Sequence, residues 1–466
     1  MSIIKSEELS FRYNAASSLA LDNINLSVEE GECILLCGKS GCGKTSFSRL
    51  LNGLSPNFFK GELNGHIESV GLDQSYEIEE YVPLVGSVFQ NPKTQYFNIN
   101  TTSELAFPCE NMGYSSEMII KRVYECAREF KLESLLDRNI FKLSGGEKQQ
   151  IAFGAATILK PKLLVLDEPS SNLDAEAIKR LRQMIIKMKA LKITIVIAEH
   201  RLAWLSDIID RACYFDNGKL VKIYTNQEFN NLDEKTLYAL GLRSLDLTKF
   251  KSEIDAKTNL KTSLKPMIEV HDLKIGHDKN HYVRTIDDFS LARGEILGLM
   301  GLNGTGKSTF AKTLCGLLKP LEGKILVDNQ AVKTKDLMRM SFLVMQDVNY
   351  QLFADSVYEE VLLGSSDTSK LDEVLDSLGL LDIKERHPMS LSGGQKQRTA
   401  VASAILSGKE VIILDEPTSG LDHYHMQQLG TLLEMLKKQN KAVIVITHDE
   451  ELAADYCDRI VLLKEN

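Results

Sequence analysis

The sequence predicts an α/β fold built twice in one chain, each copy a mainly parallel sheet covered by helices. Three observations predict it. Strand-sized apolar runs alternate with helical segments, two glycine-rich loops each follow a strand and open a helix, and a set of short segments recurs in one order. At 466 residues the chain has room for two or three domains of about 150 residues each.

The repeat sets the organisation. Gly38-Lys-Ser-Gly-Cys-Gly-Lys44-Thr45 returns 263 residues later as Gly301-Leu-Asn-Gly-Thr-Gly-Lys307-Ser308. Leu143-Ser-Gly-Gly-Glu-Lys-Gln-Gln150 returns as Leu391-Ser-Gly-Gly-Gln-Lys-Gln-Arg398, Leu166-Asp-Glu-Pro169 as Leu414-Asp-Glu-Pro417, and Glu199-His200 as Thr447-His448, all 248 residues on. Gln90 and Gln346 lie between these landmarks, 256 residues apart, so copy one carries extra residues on both sides of its glutamine. Such insertions belong in loops or a peripheral subdomain. The offsets predict a first domain over 1–224, a second over 266–466, and a connector with a short helix over 225–265, which is too short for a core of its own.

Within copy one, Glu32-Cys-Ile-Leu-Leu-Cys37 reads as a strand entering the glycine loop, and Lys44 to Leu51 as the helix that follows. Lys162-Leu-Leu-Val-Leu-Asp167 and Ile193-Thr-Ile-Val-Ile-Ala198 are continuous apolar strands separated by the helical stretch Ala175 to Leu191. Strands that are apolar on every residue are buried on both faces, which implies a parallel sheet between two layers.

Composition narrows the function. Lys and Arg number 55 against 64 Asp and Glu, a net charge of -9, so no overall field draws the chain to nucleic acid. No run approaches the ~18 apolar residues of a membrane span, and the N-terminus lacks an apolar signal region. Eight cysteines with no CxxC fit a reducing compartment.

The loops carry the chemistry. In GxxxxGK[ST], glycines let the backbone wrap close to phosphate oxygens, so that N–H groups and the helix start bind the anion. Gly38, Ser40, Gly41, Gly43, Lys44, Thr45 and Ser46 are the candidates in copy one, and Gly301, Asn303, Gly304, Gly306, Lys307, Ser308 and Thr309 in copy two. Lys44 and Lys307 reach β- and γ-phosphates, and Thr45 and Ser308 are candidate Mg²⁺ ligands. Asp167 and Asp415 end strands that point at these loops and suit a Mg²⁺-holding carboxylate. Glu168 and Glu416 follow as candidates to polarise an attacking water, Gln90 and Gln346 to reach metal or water, and His200 and His448 to contact the γ-phosphate.

Taken together, these motifs, with LSGG-x-K-Q and the Asn172-Leu-Asp174 and Gly420-Leu-Asp422 segments, resemble the ATP-binding cassette ATPase family twice over. The resemblance implies two ABC-type nucleotide-binding domains, each with a helical subdomain bearing the LSGG signature, paired head to tail within the chain. Each ATP would then lie between one copy's phosphate loop and the other's signature. Site one would use Lys44, Thr45, Gln90, Asp167, Glu168 and His200 with Ser392, Gly393 and Gly394. Site two would use Lys307, Ser308, Gln346, Asp415, Glu416 and His448 with Ser144, Gly145 and Gly146. The family's adenine-stacking aromatic is matched by Tyr13, whereas copy two offers only His277.

Val88-Phe-Gln90-Asn-Pro-Lys-Thr-Gln95-Tyr-Phe97, with Glu199-His200-Arg201, is similar to the energy-coupling factor importers of vitamins and transition-metal ions. That likeness implies a peripheral ATPase on the cytoplasmic face of the cell membrane, working with a transmembrane scaffold subunit and a substrate-binding membrane subunit, and with no nucleic-acid partner. A tandem ATPase of a sugar importer and a ribosome-associated tandem cassette are the alternatives. Three lesser expectations complete the reading. His271, His277, His281, His423 and His425 read as solvated, Trp204 as packing, and Cys42 as a thiol of lowered pKa beside Lys44 and a helix start.

Overall fold

The structure, a computed structural model, describes residues 2–14, 16–90, 94–171, 173–258, 260, 263–278, 281–365 and 368–464. The chain divides into two compact units, Met1–Leu245 and Asp246–Asn466.

In the first unit, β1 (Ser2–Tyr13), β2 (Leu21–Glu29), β4 (Gly61–Ser69) and β5 (Leu72–Asp73) form an antiparallel sheet in the order β2-β1-β4-β5. The main sheet runs β10-β9-β3-β8-β7-β6, from β3 (Cys33–Gly38), β6 (Val85–Val88), β7 (Leu163–Asp167), β8 (Thr194–Ala198), β9 (Arg211–Asp216) and β10 (Lys219–Thr225). Its pairs are parallel except β10 with β9. The all-apolar strands follow from two-sided burial. Cys33, Leu35 and Cys37 of β3 enter the core on the helical side, and Ile34 and Leu36 enter the core beneath the antiparallel sheet. In β7, Leu164 and Leu166 take the first side, Leu163 and Val165 the second.

The second unit repeats the plan. An antiparallel sheet of order β12-β11-β14-β15 contains β11 (Pro266–Gly276), β12 (Tyr282–Ala292), β14 (Glu322–Val327) and β15 (Gln330–Ala331). A parallel sheet of order β16-β17-β18-β13-β19 contains β13 (Ile296–Met300), β16 (Ser341–Val344), β17 (Val411–Asp415), β18 (Ala442–Ile446) and β19 (Arg459–Leu462). The extra residues after Gln90 lengthen peripheral helices: Thr101–Asn111 and Ser116–Phe130 stand where copy two has Val357–Leu362 and Leu371–Ser377.

The expected connector over 225–265 is divided between the units and, among the described residues, holds three helices where one was expected. Asn226–Asn230 and Glu234–Ala239 belong to the first unit, where Phe229 and Leu237 are buried in its core. Thr248–Thr258 belongs to the second, where Phe250 and Ile254 are buried. Apolar side chains spaced along a polar segment carried this information. A reading for linker composition passes over them.

Truncating Phe250 to alanine removes a fully buried ring from the second core and is expected to cost about 3–5 kcal/mol. Urea unfolding followed by circular dichroism should show a lower midpoint for Phe250→Ala; an unchanged midpoint would return this helix to the status of a linker.

Candidate functional site

The C-terminal edge of each main sheet gathers the predicted residues. β3 ends at Gly38, whose φ of 142° admits glycine only, and a Cβ there would stand 2.1 Å from the Phe215 carbonyl oxygen. Gly43, at φ 108°, precedes the helix Lys44–Leu51, and no side chain caps that helix. A helix start without a side-chain cap leaves first-turn N–H groups of the kind that suit an anion. Lys44 is buried and folds back, donating to the carbonyls of Gly38 and Lys39 at 3.0 Å each. Lys307 does the same with Gly301 (2.7 Å) and Leu302 (2.9 Å). A Cβ on Gly41 or Gly304 would meet only open space on the face of the loop.

Thr45 Oγ1 donates to Asp167 Oδ1 at 3.1 Å, and the Ser308 hydroxyl hydrogen-bonds Asp415. A hydroxyl beside a carboxylate is an oxygen-only donor pair of the kind a hard cation takes with phosphate oxygens and water, so these residues fit Mg²⁺. Among the described residues no cluster of three or more His, Cys, Asp or Glu offers a metal cage of its own. Burial raises the pKa of both aspartates above the usual carboxylate value despite these hydroxyls.

Glu168 and Glu416 both adopt left-handed backbone, φ 45° and 52°, a strained conformation for a residue with a side chain. Their N–H groups donate to Ala198 and Ile446, tying each glutamate to the strand that leads to the histidine. Gln90 Nε2 donates to Glu168 Oε2 at 2.6 Å, and His200 Nε2 lies 3.6 Å from Glu168 Oε1. Burial, then the charges of Asp167 and Glu199, push the Glu168 pKa up to about 8, the range of a base poised near neutral pH. In copy two, His448 Nε2 is 3.4 Å from Glu416 Oε1, 3.0 Å from Asn303 Oδ1 and 3.3 Å from Lys307 Nζ. Gln346 follows β16, which pairs in parallel with β17, the strand leading to Asp415 and Glu416.

The glutamine loops have internal clamps that sequence reasoning noticed only as a motif. Gln95 donates to Ser87 O (2.8 Å) and accepts from Phe89 N (3.3 Å); Gln351 donates to Leu343 O (2.6 Å) and accepts from Met345 N (2.7 Å). Buried Glu104 and Glu360 accept two successive N–H groups just beyond, from Phe97 and Asn98 and from Phe353 and Ala354. The matched spacing of these acids, 256 residues, was the available signal.

Ser144 and Ser392 cap the helices Gly145–Thr157 and Gly393–Leu406 through reciprocal bonds with Glu147 and Gln395. Gly146 lies against Ala177, where a Cβ would meet the Ala177 Cβ at 2.6 Å, whereas one on Gly393 meets nothing. Asp174 and Asp422 cap the next helices at Ala177 N and His425 N; Asn172 lies outside the described residues. Tyr13 is held beside the phosphate-loop helix, donating to Ser46 Oγ at 3.1 Å and accepting from Arg49 at 3.2 Å. His277 is exposed after β11.

Two expectations are corrected. His423 is buried, not solvated. Cys42 is also buried, its Sγ 3.7 Å from Lys44 Nζ, and desolvation outweighs that ammonium, so the thiol pKa is raised. Position beside a helix start indicated a charge but not the enclosure around it.

Each copy thus has a glycine-rich loop, a carboxylate pair, a glutamine and a histidine at the end of its main sheet. The family model described as ABC transporter matches residues 21–171 and 285–419, and the chain belongs to that family as a tandem ATPase that binds and hydrolyses ATP. A Treponema denticola protein provisionally named ABC transporter ATP-binding protein is 43% identical over 468 residues, spanning 99% of this chain and 95% of its own. A Bacillus subtilis protein provisionally named HMP/thiamine import ATP-binding protein YkoD is 30% identical over 489 residues, spanning 98% and 89%. Among solved structures, a model of ribosome-bound archaeal Pelota and ABCE1 is similar in fold, with a TM-score of 0.71 at 22% identity over 98% of this chain and 77% of that one. No helix among the described residues is long and apolar enough to cross a membrane.

All eight cysteines are buried. Titration of the native protein with a thiol reagent near neutral pH should therefore give no fast-reacting group, and eight after unfolding; one fast thiol lost in Cys42→Ser would contradict the burial of Cys42.

Proposed function

We propose that the chain is the ATP-hydrolysing motor of an energy-coupling factor type importer, powering uptake of a vitamin or transition-metal ion through separate membrane subunits. The observation that carries this is the presence of two complete constellations, neither lacking its lysine, aspartate, glutamate or histidine. The Gln-Asn-Pro-x-x-Gln sequence and the thiamine-import name of the Bacillus relative support the importer class.

In this reading the copies close head to tail, the exposed helix starts at Ser144-Gly145 and Ser392-Gly393 each facing the other copy's γ-phosphate. Lys44 and Lys307 turn from their loop carbonyls to the β- and γ-phosphates. Thr45, Asp167 and Gln90, and Ser308, Asp415 and Gln346, hold Mg²⁺, which when bound neutralises charge on the phosphate oxygens. Glu168 or Glu416 takes the proton of a water as its oxygen attacks the γ-phosphorus; the bond to the bridging oxygen breaks, and ADP and phosphate leave. His200 and His448 orient the γ-phosphate, and Tyr13 stacks on the adenine in site one. The motor sits at the cytoplasmic face of the membrane, against a transmembrane scaffold and a substrate-binding subunit.

Replacing both Glu168 and Glu416 with glutamine should lower ATP turnover by ~10²–10⁴-fold, the usual loss for a general base, while ATP binding persists; full activity in the double variant would overturn the assignment. Affinity purification from detergent-solubilised membranes should recover hydrophobic partner proteins, and recovery only with ribosomes would overturn the importer reading.

A further inference from the structure

The two glycine-rich loops are held by different groups. In each, the residue before the glycine that opens the helix offers a carbonyl, Cys42 O in copy one and Thr305 O in copy two, 263 residues apart. Cys42 O accepts from a main-chain N–H, that of Gly218 in the turn between β9 and β10, at 3.1 Å. Thr305 O accepts from a side chain, Arg284 Nη1, at 2.9 Å. Arg284 stands on β12 opposite Ile275 of β11, and 263 residues earlier copy one has Leu21, which is fully buried. The same Nη1 donates to Lys464 O at 3.0 Å, just beyond β19. On its way the side chain passes Gly306, where a Cβ would stand 3.2 Å from Arg284 Cδ. The carbonyl before Lys464, that of Leu463, lies against Gly301, where a Cβ would stand 2.4 Å away. One guanidinium thus joins the helix end of the loop to the segment that backs its first glycine.

The bond acts through the peptide it touches. The Thr305–Gly306 peptide is trans, so its C=O and its N–H point in opposite directions. A donor fixed on the carbonyl therefore sets the direction of the Gly306 N–H, one of the loop N–H groups that suit an anion. A guanidinium bonds a carbonyl more strongly than a neutral amide does, and a carbonyl so bonded polarises the N–H across its peptide. In copy one the donor on the corresponding carbonyl is neutral.

We propose that Arg284 is a positioning residue for the second site: its guanidinium fixes and polarises the Thr305–Gly306 peptide so that the Gly306 N–H meets a nucleotide phosphate, a part taken in copy one by the β9–β10 turn. The inference rests on the reading of 301–308 as a nucleotide-binding loop.

Calorimetric titration of the full chain with a non-hydrolysable ATP analogue and magnesium tests it, with Lys44→Ala leaving site two to be read alone and Lys307→Ala leaving site one. Arg284→Leu, which installs the residue of copy one and removes both bonds, should weaken binding at site two about tenfold and leave site one unchanged. Arg284→Lys keeps a cationic donor and should bind at site two within about threefold of the parent, and more tightly than the neutral Arg284→Gln. That pair decides the matter where the leucine variant does not fold. Parental affinity at site two in both Arg284→Leu and Arg284→Gln, or an equal loss at site one, would overturn the inference and leave the loop a nucleotide site. No binding by the Lys44→Ala chain would remove both.

Discussion

Lys44 and Lys307 each close a ring of backbone around an ammonium group, bonding the two carbonyls that begin their own loop. That closure depends on glycine where the strand ends. At Gly38 and Gly301 a side chain would run into a neighbouring backbone carbonyl, 2.1 Å and 2.4 Å away on Phe215 and Leu463. The Thr45–Asp167 bond then ties the helix start to the end of the strand that carries the aspartate. The sheet strands are apolar and buried on both faces, and at their C-terminal edge Asp167, Glu168 and His200 come together.

Much of this was legible because the phosphate loop is made by local sequence. Glycines at fixed spacing, a strand before and a helix after are all read within a few residues, and repetition 263 residues on confirms the reading. The antiparallel sheets were not legible. In β1, exposed and buried residues follow no strict alternation, and bulges interrupt its register with both neighbours. One helix was legible over 225–265; the two at Asn226–Asn230 and Thr248–Thr258 were hidden by polar composition. Glu199 stood in view as part of Glu199-His200-Arg201, but its work is to bond N–H groups at 170, 200 and 201, and only folding brings those together. Cys42 failed for the complementary reason: proximity in sequence to Lys44 shows a charge, while burial, which decides the thiol's pKa, is a tertiary property.

The clamps recur in both copies, and so do the candidate site residues around them. Both copies keep the glutamine-loop clamps at Gln95 and Gln351 and the buried acids at Glu104 and Glu360. They part at the histidine loop, where a carboxylate faces one set of N–H groups and a hydroxyl the other. Two copies of one scaffold can thus keep the same candidate site residues and still differ in how those residues are held.

The central claim is that each unit carries its own complete phosphate-binding loop. Calorimetric titration of the full chain with a non-hydrolysable ATP analogue and magnesium measures this directly. Two molecules should bind per chain, and one in either Lys44→Ala or Lys307→Ala. A single molecule bound by the unaltered chain, or two bound by both lysine variants, would contradict it.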